Sequence, residues 1–586
     1  MDMKIKNSIL LFLALTLIAC GSKDMVQNDK ALLDSLSQQY WNRELRTGHS
    51  IKITGGKSPL PDKLYFGNKQ DYQEDSVYFS KLLQTLQQID VNKLPMNARV
   101  DYDLLQWVAE MRLEGTHYYE NIFPLVTPYA NHLNTNDLVF KQASFDSETD
   151  LKHYLELLNQ YSEVQKHELA KFRRMESRGI RLPKPEIKLT LDFIKTLQVK
   201  PTAHPYYPQA IRLQKIDKTS RESFQEKASQ IIEQKILPNH DSLFNFLGGD
   251  YFKNASETVG LGQYPGGKDY YRYLVKWHTT TDLTPEEIHG LGKKQVAQIS
   301  SALDSIRLST QFKGDMKAFY TFLQKDKRFL ASTPNEVGER IKKPLVRMDT
   351  VIHRLISARP KAGYDVRRLA RTLEPAMTFG NYLPPAGDEP LGVYYYNGSK
   401  LDQRPLTGVA SLAFHEIIPG HHWQVSLQSE NKSLSEFRKN MVLTAYSEGW
   451  GDYASYLGIE LGLFDDPYDY CGRLLMDMFI SVRLVVDVGM NHFGWSREQA
   501  MEYMRTYLIE SEEQINTESI RYSCDIQGQA LGYKIGSLKL IELRKKYQIA
   551  LGKNFSVIKF HDAVLRNGNL PLAVLEKSLD REFGVQ

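Results

Sequence analysis

Cysteine is scarce in this chain. Three among 586 residues are too few for the disulfide framework that holds small secreted domains together. Charge of one sign is lacking too: 74 Lys and Arg stand against 70 Asp and Glu, a net +4. The basic residues are scattered, so no nucleic-acid partner is expected. Low-complexity tracts and fixed-period repeats are absent, which argues against disordered and repeat architectures. Strand patterns are few. The apolar run that invites a membrane reading, SILLFLALTLIA at residues 8–19, has 12 residues, short of the ~20 that span a bilayer.

That run has another meaning. Lys4 and Lys6 precede it, and it ends in Leu17-Ile18-Ala19-Cys20, the layout of a processed secretion signal. The ending is similar to the lipobox of bacterial lipoproteins, whose cysteine is lipidated after cleavage. The expectation is a lipoprotein signal peptide over residues 1–19, lipidation at Cys20 and a polar tether over 20–34. The mature chain would then sit in the cell envelope, held by lipid to the outer membrane on its periplasmic or surface face. In that oxidising compartment Cys471 and Cys524 can pair, but nothing implies it and two buried thiols are expected.

What is plentiful is helical periodicity. Leu151, Tyr154, Leu155, Leu158 and Tyr161 repeat at the spacing of an amphipathic helix, which Gly179, Pro183 and Pro185 close. Thr284, Pro285 and Glu287 form a helix start with a capping box, and Ser332 or Thr333 ahead of Pro334 repeats the device. Further helices are expected over roughly 409–429, 437–458, 471–493, 497–511, 522–547, 556–566 and 571–580. Two aromatic-rich runs around a Pro/Gly turn at 376–400 predict a β-hairpin. Its edge can accept an extended peptide by strand addition, or it is a structural flap. The fold class is therefore mainly α, a large multi-helix body with a small β-hairpin or short sheet. A soft boundary separates an N-terminal helical half, 35–280, from a C-terminal half, 281–586, which carries every motif below; both are expected to build one body. The 33 tyrosines suit a deep groove or a plain large core.

The stretch SLAFHEIIPGHHWQ, residues 411–424, nearly writes the two-histidine helix of a zinc hydrolase. On a straight helix His415 and His421 stand six residues apart, about 9 Å along the axis, too far to share an ion at ~2 Å bonds. Pro419 removes a backbone donor and Gly420 accepts almost any dihedral, so a kink here can bring a later histidine back. His421 as second ligand and His422 as its alternative, or as a supporting residue, both stay open. A surface histidine patch is disfavoured by the apolar flanks, because burying these groups without a partner is costly. Glu448 and Asp452 in TAYSEGWGDYASYLG share a helix face one turn apart. Glu448 suits a third ligand and Asp452 an acceptor that orients a ligand imidazole. Glu416 is the natural general base, and Arg521 with Tyr522 suit an oxyanion site. Tyr533, His492 and Arg483 are candidates for substrate contacts, and Arg473, Arg483 or Lys534 for a substrate carboxylate. The implied cofactor is Zn2+.

HEIIPGHH, SEGWGDYA, RLVVDVGMNHFGWSREQA, IRYSCDIQGQALGYKIG and YPGGKDYYRYLVKWHTTTDLTPEEIHGLG together resemble the bacterial domain-of-unknown-function 885 family, over nearly the whole mature chain. Its members are large, mostly helical, frequently lipoproteins, and often treated as metallopeptidases. Gln527-Gly528-Gln529 stands where that family usually shows Pro-Gly-Gln. A more distant similarity is to peptidyl-dipeptidases of the angiotensin-converting-enzyme type. By that resemblance Glu448 is a zinc ligand, Asp452 its companion, and Tyr522 of Ile520-Arg521-Tyr522 stabilises the oxyanion. The resemblance implies an elongated helical body with a deep cleft, suited to short peptides.

The expected function is a zinc peptidase hydrolysing short peptides in the bacterial envelope, with Glu416 activating a zinc-bound water, in the manner of an exopeptidase or peptidyl-dipeptidase. The alternatives are a non-catalytic peptide- or metal-binding lipoprotein with a peptidase-like fold, and a metal-dependent amidase or esterase. Oligomeric state is left open.

Overall fold

Helical spacing sets the architecture. The chain is seen in a computed structural model that describes residues 28–46, 60–126, 136, 138–141, 143–374, 379–386 and 389–585. The expected signal peptide, Cys20 and residues 20–27 of the tether lie outside these. From residue 28 the segment expected as tether is helical, because Leu33, Leu36, Tyr40 and Trp41 form a buried stripe.

The N-terminal half contributes α1 (Lys69–Leu86), α2 (Met96–Gly115) and α3 (Glu148–Ser177). In α3 the predicted stripe is realised: Leu151, Tyr154, Leu158 and Tyr161 are buried, and Ser147 caps the first turn. Next come α4 (Pro285–Ser309) and α5 (Pro334–Val351). Thr284 and Glu287 form the expected capping box, and Thr333 is the N-cap ahead of Pro334. A small sheet precedes the histidine motif: β1 (Tyr364–Arg368), β2 (Gly380–Leu383) and β3 (Gly392–Tyr396). β2 and β3 are the expected antiparallel pair, with Tyr382 opposite Tyr394. β1, which the sequence pattern did not announce, pairs parallel to β3 and makes it the central strand.

The C-terminal body holds α6 (Val409–Glu416), α7 (His421–Glu430), α8 (Thr444–Glu460), α9 (Pro467–Asn491), α10 (Glu512–Ile520) and α11 (Leu531–Leu551). Two expectations are corrected here. The single helix over 409–429 is two, broken at residues 417–420. The helix expected from 522 begins as a π turn over Arg521–Asp525, and α11 resumes only at Leu531.

α9 is buried on nearly all sides from Ile480 onward, as a core helix should be. Val482, Val485, Val486 and Val488 are at most 1% exposed, and each stabilises the fold by roughly 1.5–3 kcal/mol. Cys471 and Cys524 are free, buried thiols. Cores cross position 280. Leu104, Leu105 and Val108 of α2 share one apolar cluster with Trp450, Leu540 and Tyr547. The Tyr271 hydroxyl donates to Asp487 Oδ1 at 2.7 Å.

Candidate metal centre

The break between α6 and α7 builds the site. After Glu416 the backbone leaves helical geometry at Ile417, passes a cis Ile418–Pro419 bond, and re-enters a helix at His421. Gly420 is required there: a Cβ on it would lie 1.7 Å from the His415 carbonyl oxygen. The Trp450 indole on α8 donates to the Pro419 carbonyl at 2.8 Å and locks the bend. His421 is thereby folded back onto His415, with ring centroids 4.6 Å apart and rings nearly perpendicular.

α8 closes the site from the other side because its small residues let it approach. A Cβ on Gly451 would meet the His415 ring at 2.8–3.0 Å, and Gly449 faces Gly536 of α11 just as closely. Glu448 then reaches both imidazoles through one oxygen. Its Oε2 lies 3.4 Å from His415 Nε2 and 3.2 Å from His421 Nε2. Among the described residues this is the one trio of potential ligands whose donor atoms all fall within 4.8 Å of one another.

The trio fits zinc. Four ligands at ~2.0–2.1 Å on a tetrahedron are separated by about 3.3 Å, and the two imidazole-to-carboxylate distances straddle that value. His421 Nδ1 is buried without a partner, at a cost of about 1–3 kcal/mol, so local hydrogen bonding alone does not explain the arrangement. Burial opposes the charge on Glu448, but His421 and His415 overcome it and hold the carboxyl well below its usual range. Burial likewise opposes a charge on His421, yet Glu448 pushes its pKa up to about 9. Burial pushes Glu416 up, while His421 and His415 pull it back.

Other expected residues are placed differently. His422, one position on, faces the opposite side of α7. Its Nε2 donates to the Ala362 carbonyl at 3.1 Å, so Nδ1 accepts from the Tyr382 hydroxyl at 3.0 Å. It braces the sheet and lies outside the trio that the structure brings together. Asp452 does not touch a ligand imidazole; it turns to α9 and pairs with Arg473 at 3.0 Å. Tyr522 is fully buried. The π turn rotates it inward, where its hydroxyl donates to Glu518 and accepts from Arg483 Nε at 2.7 Å. No lone hydroxyl is left for an oxyanion.

Tyr533 takes the place beside the trio. Its ring lies 6.4 Å from that of His415 at 13°, with the Arg483 guanidinium 4.7 Å from its centroid. Burial and then the Glu448 charge push its phenol up, and Arg521 hydrogen-bonds to it. Arg521 also binds Gln529 at 2.8 Å. Arg483 and Lys534 are committed to Glu518 and Asp477. His492 pairs with Glu286 at 2.6 Å and stands nine residues beyond Arg483 on α9, about 13 Å along the axis.

Sequence reasoning missed Tyr394. Its hydroxyl is buried without a partner, and burial and the nearby Glu416 charge push its phenol up. The available signal was the aromatic run Tyr394-Tyr395-Tyr396, whose alternation on a strand sends Tyr394 and Tyr396 inward.

A family model described as "bacterial protein of unknown function (DUF885)" matches residues 56–579. No curated protein matches the chain. Among solved structures, a candidate lipoprotein from Colwellia psychrerythraea superposes with a TM-score of 0.83 at 23% identity, covering 96% of this chain and 100% of its own. A candidate lipoprotein of unknown function from Shewanella oneidensis gives a TM-score of 0.74 at 16% identity, covering 93% of this chain and 99% of its own. Both share this fold.

Proposed function

We propose that this chain, which belongs to the bacterial DUF885 family, is a zinc-dependent peptidase acting on short peptides in the bacterial envelope. The observation that carries the reading is the convergence of His415 and His421 on a single oxygen of Glu448, with Glu416 next in sequence to the first ligand. His415, His421 and Glu448 would hold the ion, which supplies an electrophile for the substrate carbonyl and acidifies water.

The chain's own residues do the rest. Glu416 would accept the proton of the attacking water and return it to the leaving amine; its burial raises its pKa and so favours the first of these transfers. Tyr533, beside His415, is the phenol that donates to the developing oxyanion. Arg521 and Arg483 hold that ring in place, through a hydrogen bond and a contact over the ring. β2 is an edge strand of the sheet, and Tyr382 on it feels the charge of Glu416, so an extended peptide added to that edge would run near Glu416. Peptide, rather than another acyl substrate, is favoured by that edge.

Envelope placement rests on Lys4, Lys6, the apolar run and Cys20, and on the candidate lipoproteins that share the fold. Among the described residues no helix is long and apolar enough to cross a membrane.

The test is metal content and peptide cleavage for the protein and its Glu416→Gln variant. About one zinc per chain is expected in both, with cleavage reduced about 10²–10⁴-fold in the variant. A chain without zinc overturns the reading. Zinc without cleavage of any peptide points to a binding protein, and cleavage confined to esters or amides to the corresponding hydrolase.

A further inference from the structure

In the N-terminal half, where the start of α1 meets the end of α3, lies a cavity of about 270 Å³ whose walls include Phe66, Tyr119, His167, Glu168, Lys171 and Arg174. It is just under the ~300 Å³ at which pockets for drug-sized ligands begin, so its occupant is small. None of these residues belongs to the metal centre.

Glu168 and Lys171 stand one turn apart on α3, 5% and 4% exposed. Their Cβ atoms are about 5–6 Å apart at such spacing, yet no ion pair joins them. Glu168 Oε1 is buried with no hydrogen-bond partner. The Lys171 amine lies 4.1 Å over the Tyr119 ring. Arg174 approaches the same ring at 5.2 Å and donates to the Tyr119 hydroxyl at 2.9 Å. Burial pushes the Glu168 carboxyl up to about 8. Burial, and then Arg174, bring the Lys171 amine down to about 7. A buried acid whose Oε1 lacks a partner, beside a buried amine held only over an aromatic ring, costs stability that apolar residues would not. The fold alone gives no reason for them.

We propose that this cavity binds a small zwitterion, a free α-amino acid with an apolar side chain. Its carboxylate would sit between Lys171 and Arg174, its ammonium on Glu168, and its side chain against Phe66, which meets the His167 ring edge-on at 5.5 Å. Each buried group then faces an opposite charge, and the two ends of one ligand satisfy both.

Calorimetric titration of the full chain with L-leucine tests this, alongside N-acetyl-leucine, which lacks the ammonium, and leucinamide, which lacks the carboxylate. Leucine should bind saturably, and blocking either end should weaken it about tenfold or more. Lys171→Met and Glu168→Gln should each weaken leucine to a similar degree while zinc content stays unchanged. If Lys171→Met does not fold, the near-isosteric Glu168→Gln and the blocked ligands decide. Absence of leucine binding overturns the proposal. So does equal binding of the blocked ligands, or binding that survives in the folded variants, which would place leucine elsewhere.

Discussion

His421 carries its proton where an ion has to go. In the metal-free protein Glu448 raises its pKa to about 9 against the opposing effect of burial, and coordination requires the neutral imidazole. The sign follows: below pH 9 an ion must displace one proton, so apparent zinc affinity falls about tenfold per unit as pH is lowered. Above that pH the dependence flattens. Competitive zinc titration between about pH 6 and 8 checks the slope, and a flat profile would mean that His421 does not ligate. Gly451 supplies a second test at this scale. A methyl group there would meet three atoms of the His415 ring at 2.8–3.0 Å, and α8 cannot yield easily because Gly449 is already against Gly536. Gly451→Ala should therefore weaken zinc about 10–100-fold, the range seen when groups supporting a ligand are altered. Unchanged circular dichroism would show that the helices remain.

Elements decide which tyrosine faces the candidate metal trio. Read as one helix from 522, the sequence puts Tyr522 at a helix start beside Arg521, and resemblance assigns it the oxyanion. The π turn at Arg521–Asp525 and the restart at Leu531 give each tyrosine a different face. Two substitutions separate the roles. Tyr533→Phe should retain zinc and lose about 10²–10³-fold in turnover. Tyr522→Phe leaves Glu518 and Arg483 short of a partner and should cost about 1–3 kcal/mol of stability, read as a lower melting temperature. The reverse pattern would restore Tyr522 to the reacting atoms. The same contrast marks what was legible beforehand. Pro419-Gly420 announced a break, the Ser/Thr–Pro starts announced helix caps, and His415 and Glu448 announced two of the three residues that converge, because each is local backbone chemistry or ligand type. Which way His422 and Asp452 turn was not legible. That depends on the Ala362 carbonyl and on Arg473, 60 and 21 residues away, and no local pattern encodes such partners. β1 was hidden for the same reason, since a parallel strand takes its partner from distant sequence.

At the scale of the molecule, the metal centre depends on the half of the chain that supplies none of its ligands. α2 places Leu104, Leu105 and Val108 in the apolar cluster that also holds Trp450 of α8 and Leu540 of α11. Its Asp101 and Asp103 pair with Arg438 and Arg581 at 3.3 and 2.8 Å. Arg438 is 3% exposed, and removing its carboxylate would leave a buried cation unpaired, at about 3–5 kcal/mol. Each truncated contact also opens apolar surface, roughly 1.5–3 kcal/mol for every large side chain uncovered. A few such losses equal the whole stability of an ordinary domain, about 5–15 kcal/mol. Residues 281–586 expressed alone should therefore bind a hydrophobic dye, melt without a cooperative transition, and hold zinc only weakly, since the α8–α11 contact that carries Glu448 and Tyr533 loses its backing. Adding the N-terminal half in trans should restore part of the cooperativity. A fragment that melts sharply and retains stoichiometric zinc would show instead that the C-terminal body is self-sufficient and that the shared core is accessory.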